Sequence, residues 1–291
     1  MTDSYNEADH DWIEHLPYYN AFNAPATKAA IALLELPATG ATVLDVGCGP
    51  GGIIPHLAAA VGSTGKIVGI DGSAKNLDAA KRHIAKHHLE SVVEFHKLNL
   101  ADPLPFAENT FDLVWIADVI LPDFAENPPD FVRRLTRVLK PGGVCAIYYG
   151  NWLRLFMLPG YSRLENQIWA AQEINLSENG TPAHRSWNGP GHPESVLAWM
   201  QGAGLVEPRI EMLPALHRQP LSDAVRHFVG IEVFGSYMKG AIETCGDRVG
   251  LTAEDIQLWK RLVEPESAEY LLNRPDYYCG VTAIFAMAKK P

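Results

Sequence analysis

From residue 42 to residue 149 the chain alternates short β-branched apolar runs with longer stretches whose apolar residues recur every three or four positions. Uninterrupted apolar runs suit strands covered on both faces, and the helical period suits amphipathic helices lying across them. The pattern therefore predicts a parallel sheet between helical layers. Strands are expected at 42–46, 66–71, 92–98, 111–117 and 143–149, with helices over 52–60, 74–88 and 128–139. In the last helix Pro128 and Pro129 suit a first turn, where a missing N–H is no loss, and Phe131, Leu135, Val138 and Leu139 share a face. Lys140-Pro141-Gly142-Gly143 should end it. Arg133, Arg134, Arg137 and Lys140 read as a solvated face favoured by the helix's C-terminal dipole, in preference to an anion site.

Beyond Tyr149 the regular alternation is lost in a stretch containing Trp, Gly and Pro. A helix near 194–201, a strand near 205–213, two or three helices within 217–276 with Thr252 as an N-cap, and a last strand near 278–288 are expected. Long connections inside an α/β domain tend to be binding elements, so two of these segments are assigned to a cap over the carboxyl edge of the sheet. The expected organisation is an N-terminal helical lid segment (1–40), a core (41–150), a cap insertion (151–193), a core continuation (194–216), a helical cap insertion (217–276) and a last core strand (277–291).

Composition narrows the classes. Hydrophobic residues make up 47% and charged residues 20% of 291 residues, as in a globular protein with material for a large core. The formal charge of −10 opposes phosphate backbones and anionic lipid, so neither nucleic acid nor membrane is expected as a partner. The N-terminal residues are acidic and polar where a secretory signal would be basic and then apolar, and no stretch has the length of a membrane span, so a cytoplasmic location is expected. Cys48, Cys145, Cys245 and Cys279 lie far apart without metal-ligand or disulfide spacing and read as structural thiols.

The chemistry concentrates in Val43-Leu44-Asp45-Val46-Gly47-Cys48-Gly49-Pro50-Gly51-Gly52, an apolar strand entering a glycine turn and then a helix. Such a turn lets a ligand approach the backbone and the free N–H groups of the helix start. The spacing Gly47-x-Gly49-x-x-Gly52 also fits a dinucleotide fingerprint, which leaves a nicotinamide-dependent oxidoreductase as one reading. Asp45 argues for the other. A carboxylate two residues before the first glycine is a poor neighbour for a pyrophosphate but suits a ligand carrying an ammonium and a sulfonium, as S-adenosylmethionine does. Asp71, ending the second strand, can accept hydrogen bonds from both ribose hydroxyls of either cofactor.

Four motifs, in order, make residues 42–149 resemble a class I S-adenosylmethionine-dependent methyltransferase of the small-molecule group that includes the ubiquinone and menaquinone methyltransferases. They are Leu44 to Gly51, Val68-Gly69-Ile70-Asp71, Leu104-Pro105-Phe106 with Phe111-Asp112-Leu113-Val114, and Arg137-Val138-Leu139-Lys140-Pro141-Gly142-Gly143. The resemblance implies a Rossmann-like, doubly wound, seven-stranded, mostly parallel sheet with helical cap insertions. It also implies S-adenosylmethionine as cofactor. Gly47 and Gly49 would meet its methionine end, Asp71 the ribose, Gly72 the adenine, and the backbone of Ile116 the methionine amino group, with Gly51 and Asp45 as further cofactor-binding candidates from the turn itself. Where relatives present an Asp to the adenine amino group, this chain has Asn99 followed by Leu100; the amide oxygen can accept the same bond without charge. The region before the first strand often folds over the cofactor in this family, and Tyr18 and Tyr19 match that position.

Relatives often carry a His pair after the fourth strand, where this chain has Leu121-Pro122, so no role of those histidines transfers. Asp118 stands in the same segment and is a candidate to orient an acceptor or the cofactor. His184 and His192, in the first insertion, are candidates for acceptor chemistry, whereas His83 and His87 have no third metal ligand and read as a solvated basic face. No metal is expected. Trp152, Trp169, Trp187, Tyr161 and Tyr237 suggest a small, partly apolar acceptor under the cap, with the atom methylated left open among O, N and C. A protein that binds the cofactor without transferring its methyl is the remaining alternative, and the oligomeric state is not legible.

Overall fold

The computed structural model describes residues 11–37, 39–119, 127–150, 155–179 and 192–291. Leu121-Pro122, Trp152, His184 and Trp187 lie outside them. The eight strands among the described residues are β1 (Thr42–Val46), β2 (Lys66–Asp71), β3 (Val93–Lys97), β4 (Phe111–Ala117), β5 (Leu139–Tyr149), β6 (Leu155–Phe156), β7 (Val206–Arg218) and β8 (Tyr278–Lys289). Strands β3, β2, β1, β4 and β5 run parallel in that order, and β8 follows antiparallel to β5. Strand β7 pairs with β8 along its whole length, so the two-residue β6 lies on the other edge of β8, beyond the end of β5. The order reverses at β1, between β2 and β4, which opens a crevice at the carboxyl ends of those strands.

Helices cover both faces. On one side lie α1 (Asp11–Ala32), α2 (Ile54–Val61), α3 (Ala74–Lys86) and α5 (Ser162–Asn179). The unbroken succession of α7 (Asp223–His227), a π-helical run (Phe228–Met238) and α8 (Lys239–Cys245) joins this layer with α9 (Ala253–Val263). The other side carries α4 (Pro128–Thr136) and α6 (Val196–Gly202), packed over Leu44, Val46, Val114 and Ile147. Trp115, Tyr148 and Phe285 of the sheet and Phe22 and Phe228 of the first helical layer are fully buried where the two meet, and each such side chain contributes about 1.5–3 kcal/mol.

Several expected boundaries move. Helix α4 stops at Thr136, because Leu139 is drawn into β5 opposite Phe111, and a bulge then absorbs the Pro-Gly-Gly turn. Strand β7 continues past Leu213 to Arg218, so His217, expected in a helical insertion, stands on a strand. The basic residues of α4 are not a merely solvated face. Arg134 donates to Ala101 O (2.9 Å), and Arg137 to Leu104 O (2.9 Å) and Phe106 O (2.8 Å), which ties the third motif to the fourth. Trp169 is core rather than cap lining, with Nε1 3.4 Å from Glu165 Oε1. All four cysteines are free and buried. Among the described residues no helix is long and apolar enough to cross a membrane.

Candidate active site at the carboxyl edge

Strand β1 delivers the glycine turn. Gly47, Gly49 and Gly51 take φ of 68°, 51° and 79°, the left-handed region that side chains disfavour. A Cβ on Gly47 would also meet Val119 Cγ2 at 2.6 Å. Asp45 sits under the turn at 2% exposure, and burial, then the neighbouring Asp71, pushes its carboxyl up to about 7.

Asp71 closes β2 and binds the turn directly. Its Oδ2 accepts from Gly49 N (2.9 Å), and Oδ1 from Ser73 N (2.8 Å) and Asn76 Nδ2 (3.2 Å). Burial raises its pKa while these three donors pull it back. Ser73 also caps α3, so helix start, acid and glycine turn form one unit. Gly72 is half-buried beside it. Asn99 is exposed, its Oδ1 accepting from Ala101 N (3.0 Å), and Leu100 is buried behind it. Ile116 is fully buried in β4, its backbone between Val46 and Ile147.

Helix α1 lies across this edge. Its buried positions Tyr19, Phe22, Asn23, Ala26, Thr27, Ala30 and Ile31 form a single stripe. Two glycines permit the approach: a Cβ on Gly52 would stand 2.1 Å from Asn20 Nδ2, and one on Gly150 would stand 2.0 Å from the Tyr19 hydroxyl. Tyr19 OH donates to Asp118 Oδ2 (2.8 Å), and Asp118 Oδ1 accepts from Gly150 N (2.8 Å). Asp118 holds φ at 51°, and burial pushes its carboxyl up to about 6. Tyr148 OH donates to Asn23 Oδ1 (3.4 Å). The π-helical run completes the enclosure, with Phe228 packed on Tyr19 and Phe22, and Glu232 bound by His15 at 2.9 Å.

The structure thus brings Tyr19, Asp45, the three glycines, Asp71 and Asp118 to one edge. His192 stands on the turn that enters α6, its Nδ1 accepting from Glu194 N (3.1 Å). His83 and His87 touch edge to face on α3. Among the described residues no cluster of three His, Cys, Asp or Glu is placed to hold a metal. Sequence reasoning missed Asn20, Asn23, Asn76, Tyr148 and Gly150. Asn23 was findable, one helical turn after Tyr19 and on the same face; Asn76 and Gly150 have no comparable local signal. A separate surface cleft of about 500 Å³ near Gln219, Arg226 and Arg274 is chemically spent. Its arginines are bound to Leu272 O, Asn273 and Asp276.

The fold is an α/β sandwich with a glycine turn and buried acids at the carboxyl edge of its sheet, and comparison with known proteins defines the class. Residues 37–197, more than half of the chain, match the family described as a methyltransferase domain. The demethylmenaquinone methyltransferase of Bacillus cereus is 39% identical over 107 residues, 36% of this chain and 42% of that protein. The match spans less than half of that relative's length. Phosphoethanolamine N-methyltransferase 2 of Haemonchus contortus, solved with S-adenosyl-L-methionine, superposes with a TM-score of 0.53 at 17% identity over 97% of this chain and 59% of that one. The [4+2]-cyclase SpnF superposes at 0.51 with 19% identity, covering 96% and 94%. These two likenesses are of fold. The chain belongs to the class I S-adenosylmethionine-dependent methyltransferases.

Proposed function

We propose that the carboxyl edge binds S-adenosylmethionine and that the enzyme, a cytoplasmic one, methylates a small, partly apolar metabolite. The residues fit the cofactor. The acidic pair Asp45 and Asp71 lies under and beside a glycine turn whose backbone is open to close approach, which suits a ligand with an ammonium and a sulfonium, able to hold both carboxyls ionised, and opposes a pyrophosphate. In this reading the turn and Asp45 hold the methionine end, with the backbone at Ile116 meeting its amino group. Asp71 takes the ribose, and Gly72, Asn99 and Leu100 flank the adenine. Bound there, the cofactor supplies an already activated methyl group.

The chain's own task is then to hold the acceptor in line, exclude water and manage a proton. Helix α1 and the segments 151–193 and 217–276 serve as the cover, with Tyr19 as the contact between cover and sheet. Asp118 is the group at the mouth able to hold a proton, and its bond to Tyr19 orients it. His184 and His192 belong to the acceptor side of the same proposal. The observation that carries the reading is the buried Asp45–Asp71 pair at the glycine turn, with Asp71 bound to the Gly49 amide. Titration with S-adenosylhomocysteine and with NAD tests it: binding of the first alone supports it, and binding of NAD alone overturns it. S-adenosylhomocysteine binding without methyl transfer to any small acceptor would instead favour a cofactor-binding protein of another activity.

A further inference from the structure

We infer that the acceptor is an amine arriving as an ammonium ion, and that Asp118 with the tyrosines around it is the group that recognises it. The inference rests on the methyltransferase reading and narrows its acceptor class.

Asp118 is a carboxylate held in place without a counter-cation. Its two oxygens accept from the Gly150 amide and the Tyr19 hydroxyl, both uncharged donors. Among the described residues no Lys, Arg or His pairs with it, and burial rather than a neighbouring charge accounts for its raised pKa. Each oxygen keeps a lone pair for a further donor. An enclosed carboxylate of this kind is costly until it meets a positive charge, and an ammonium brings three donors with that charge. The backbone there is also left-handed: φ of 51° is uncommon for a residue with a side chain, though Asp tolerates it better than most, and surrounding contacts hold it there. Here the enforcing contacts are the Asp118 N–H bond to Tyr148 O (2.9 Å) and the two bonds to its carboxylate.

The surroundings suit the same ligand. Tyr148 on β5 and Tyr237 on the π-helical run lie close enough to Tyr19 to raise its phenol further, after burial and Asp118. Phe228 stands 5.9 Å from the Tyr19 ring centre. Aromatic faces attract ammonium ions, and most strongly where water is excluded. Glu232, at 4% exposure, adds another carboxyl group on the same side and is answered by His15. An acceptor presenting a carboxylate or phosphate to Asp118 would meet repulsion, and a neutral hydroxyl would leave its charge unanswered.

The proton balance follows. An ammonium has no lone pair, so one N–H proton passes to an oxygen of Asp118. The freed pair forms the N–C bond as the methyl's bond to sulfur breaks, leaving S-adenosylhomocysteine and a methylated ammonium. Asp118 then returns its proton to solvent.

The test uses the full chain saturated with S-adenosylhomocysteine and compares phenethylamine with 2-phenylethanol by calorimetry. The expected result is at least about tenfold tighter binding of the amine in the wild-type protein. Asp118→Asn, which tolerates the left-handed backbone, should remove that preference while leaving S-adenosylhomocysteine affinity within about twofold. With labelled S-adenosylmethionine, methyl should appear on nitrogen. Equal binding of alcohol and amine, no binding of phenethylamine or of butylamine, or a preference surviving in Asp118→Asn would overturn the inference. So would a parallel loss of S-adenosylhomocysteine in Asp118→Asn, which would assign the carboxylate to the cofactor. Failure of the wild-type protein to bind S-adenosylhomocysteine at all would strike the methyltransferase reading itself. The wild-type comparison stands even if the variant does not fold.

Discussion

Gly150→Ala should separate α1 from the sheet at one atom. The new Cβ would stand 2.0 Å from the Tyr19 hydroxyl, 2.9 Å from Asn23 Oδ1 and 3.0 Å from Tyr19 Cζ. The Tyr19 ring is 5% exposed and packed on Phe228, so it has little room to retreat. Losing its bond to Asp118, a bond to a charged group, costs about 1.5–3 kcal/mol, and the overpacking adds about 1–3 kcal/mol. Tyr19→Phe removes the same bond and also the atom that clashes. In that background Gly150→Ala should cost only about 1 kcal/mol, since the remaining contacts need to yield by a few tenths of an ångström. Urea denaturation of wild type, both single variants and the double variant gives the cycle. A coupling of at least about 1.5 kcal/mol is expected, with the double variant more stable than the sum of the singles implies. Additivity within about 0.5 kcal/mol would refute the placement of the Tyr19 hydroxyl against Gly150.

Asp71→Ala should weaken S-adenosylhomocysteine by about 1.5–3 kcal/mol, roughly 10- to 150-fold, by loss of ribose hydrogen bonds and of the Gly49 anchor, as calorimetry would read. Asp45, with its carboxyl near 7, is partly protonated at neutral pH in the free protein, and a cationic ligand favours its ionised form. Affinity for S-adenosylmethionine should therefore fall as pH drops from 8 to 6, with proton release visible as buffer-dependent heat. Asp45→Asn should flatten that profile. Without ligand, the raised carboxyls of Asp45 and Asp118 make the native state the tighter proton binder, so their contribution to stability should decline as pH rises from about 4 to about 7. Thermal melts of wild type against Asp45→Asn would show the difference narrowing in acid. Asn99→Leu should lose cofactor affinity while Asn99→Asp keeps it; unchanged binding in Asn99→Leu would place the adenine elsewhere.

The core strands were legible because burial on both faces demands unbroken apolar runs, and β1 to β5 fall where those runs stand. The glycine turn and its acids were legible because their chemistry is local, with Asp71 only 22 residues from the Gly49 amide it accepts from. Strand β7 was expected only to residue 213, and Pro214 stands at the next position. An edge strand tolerates proline because one of its sides is unpaired, and among the described residues β7 pairs with β8 alone. Strand β6 is too short to leave a periodic signal. Arg134 and Arg137 were read as solvent-facing because a guanidinium that binds a distant carbonyl looks, in sequence, like one that binds water. The meeting of Tyr19 and Asp118 spans 99 positions and depends on how α1 crosses the sheet. Periodicity predicts a buried stripe but not the strand end beneath it. The resemblance located Tyr19 in the cover, and the geometry supplied its partner.

The most direct test of the account is calorimetric titration of S-adenosylhomocysteine into the wild-type protein and into folded Asp71→Ala, with NAD as the control ligand. The account predicts one site per chain in the wild type, affinity lower by about 10- to 150-fold in the variant, and no heat from NAD. Saturable NAD binding with none for S-adenosylhomocysteine, or equal S-adenosylhomocysteine affinity in both proteins, would contradict it.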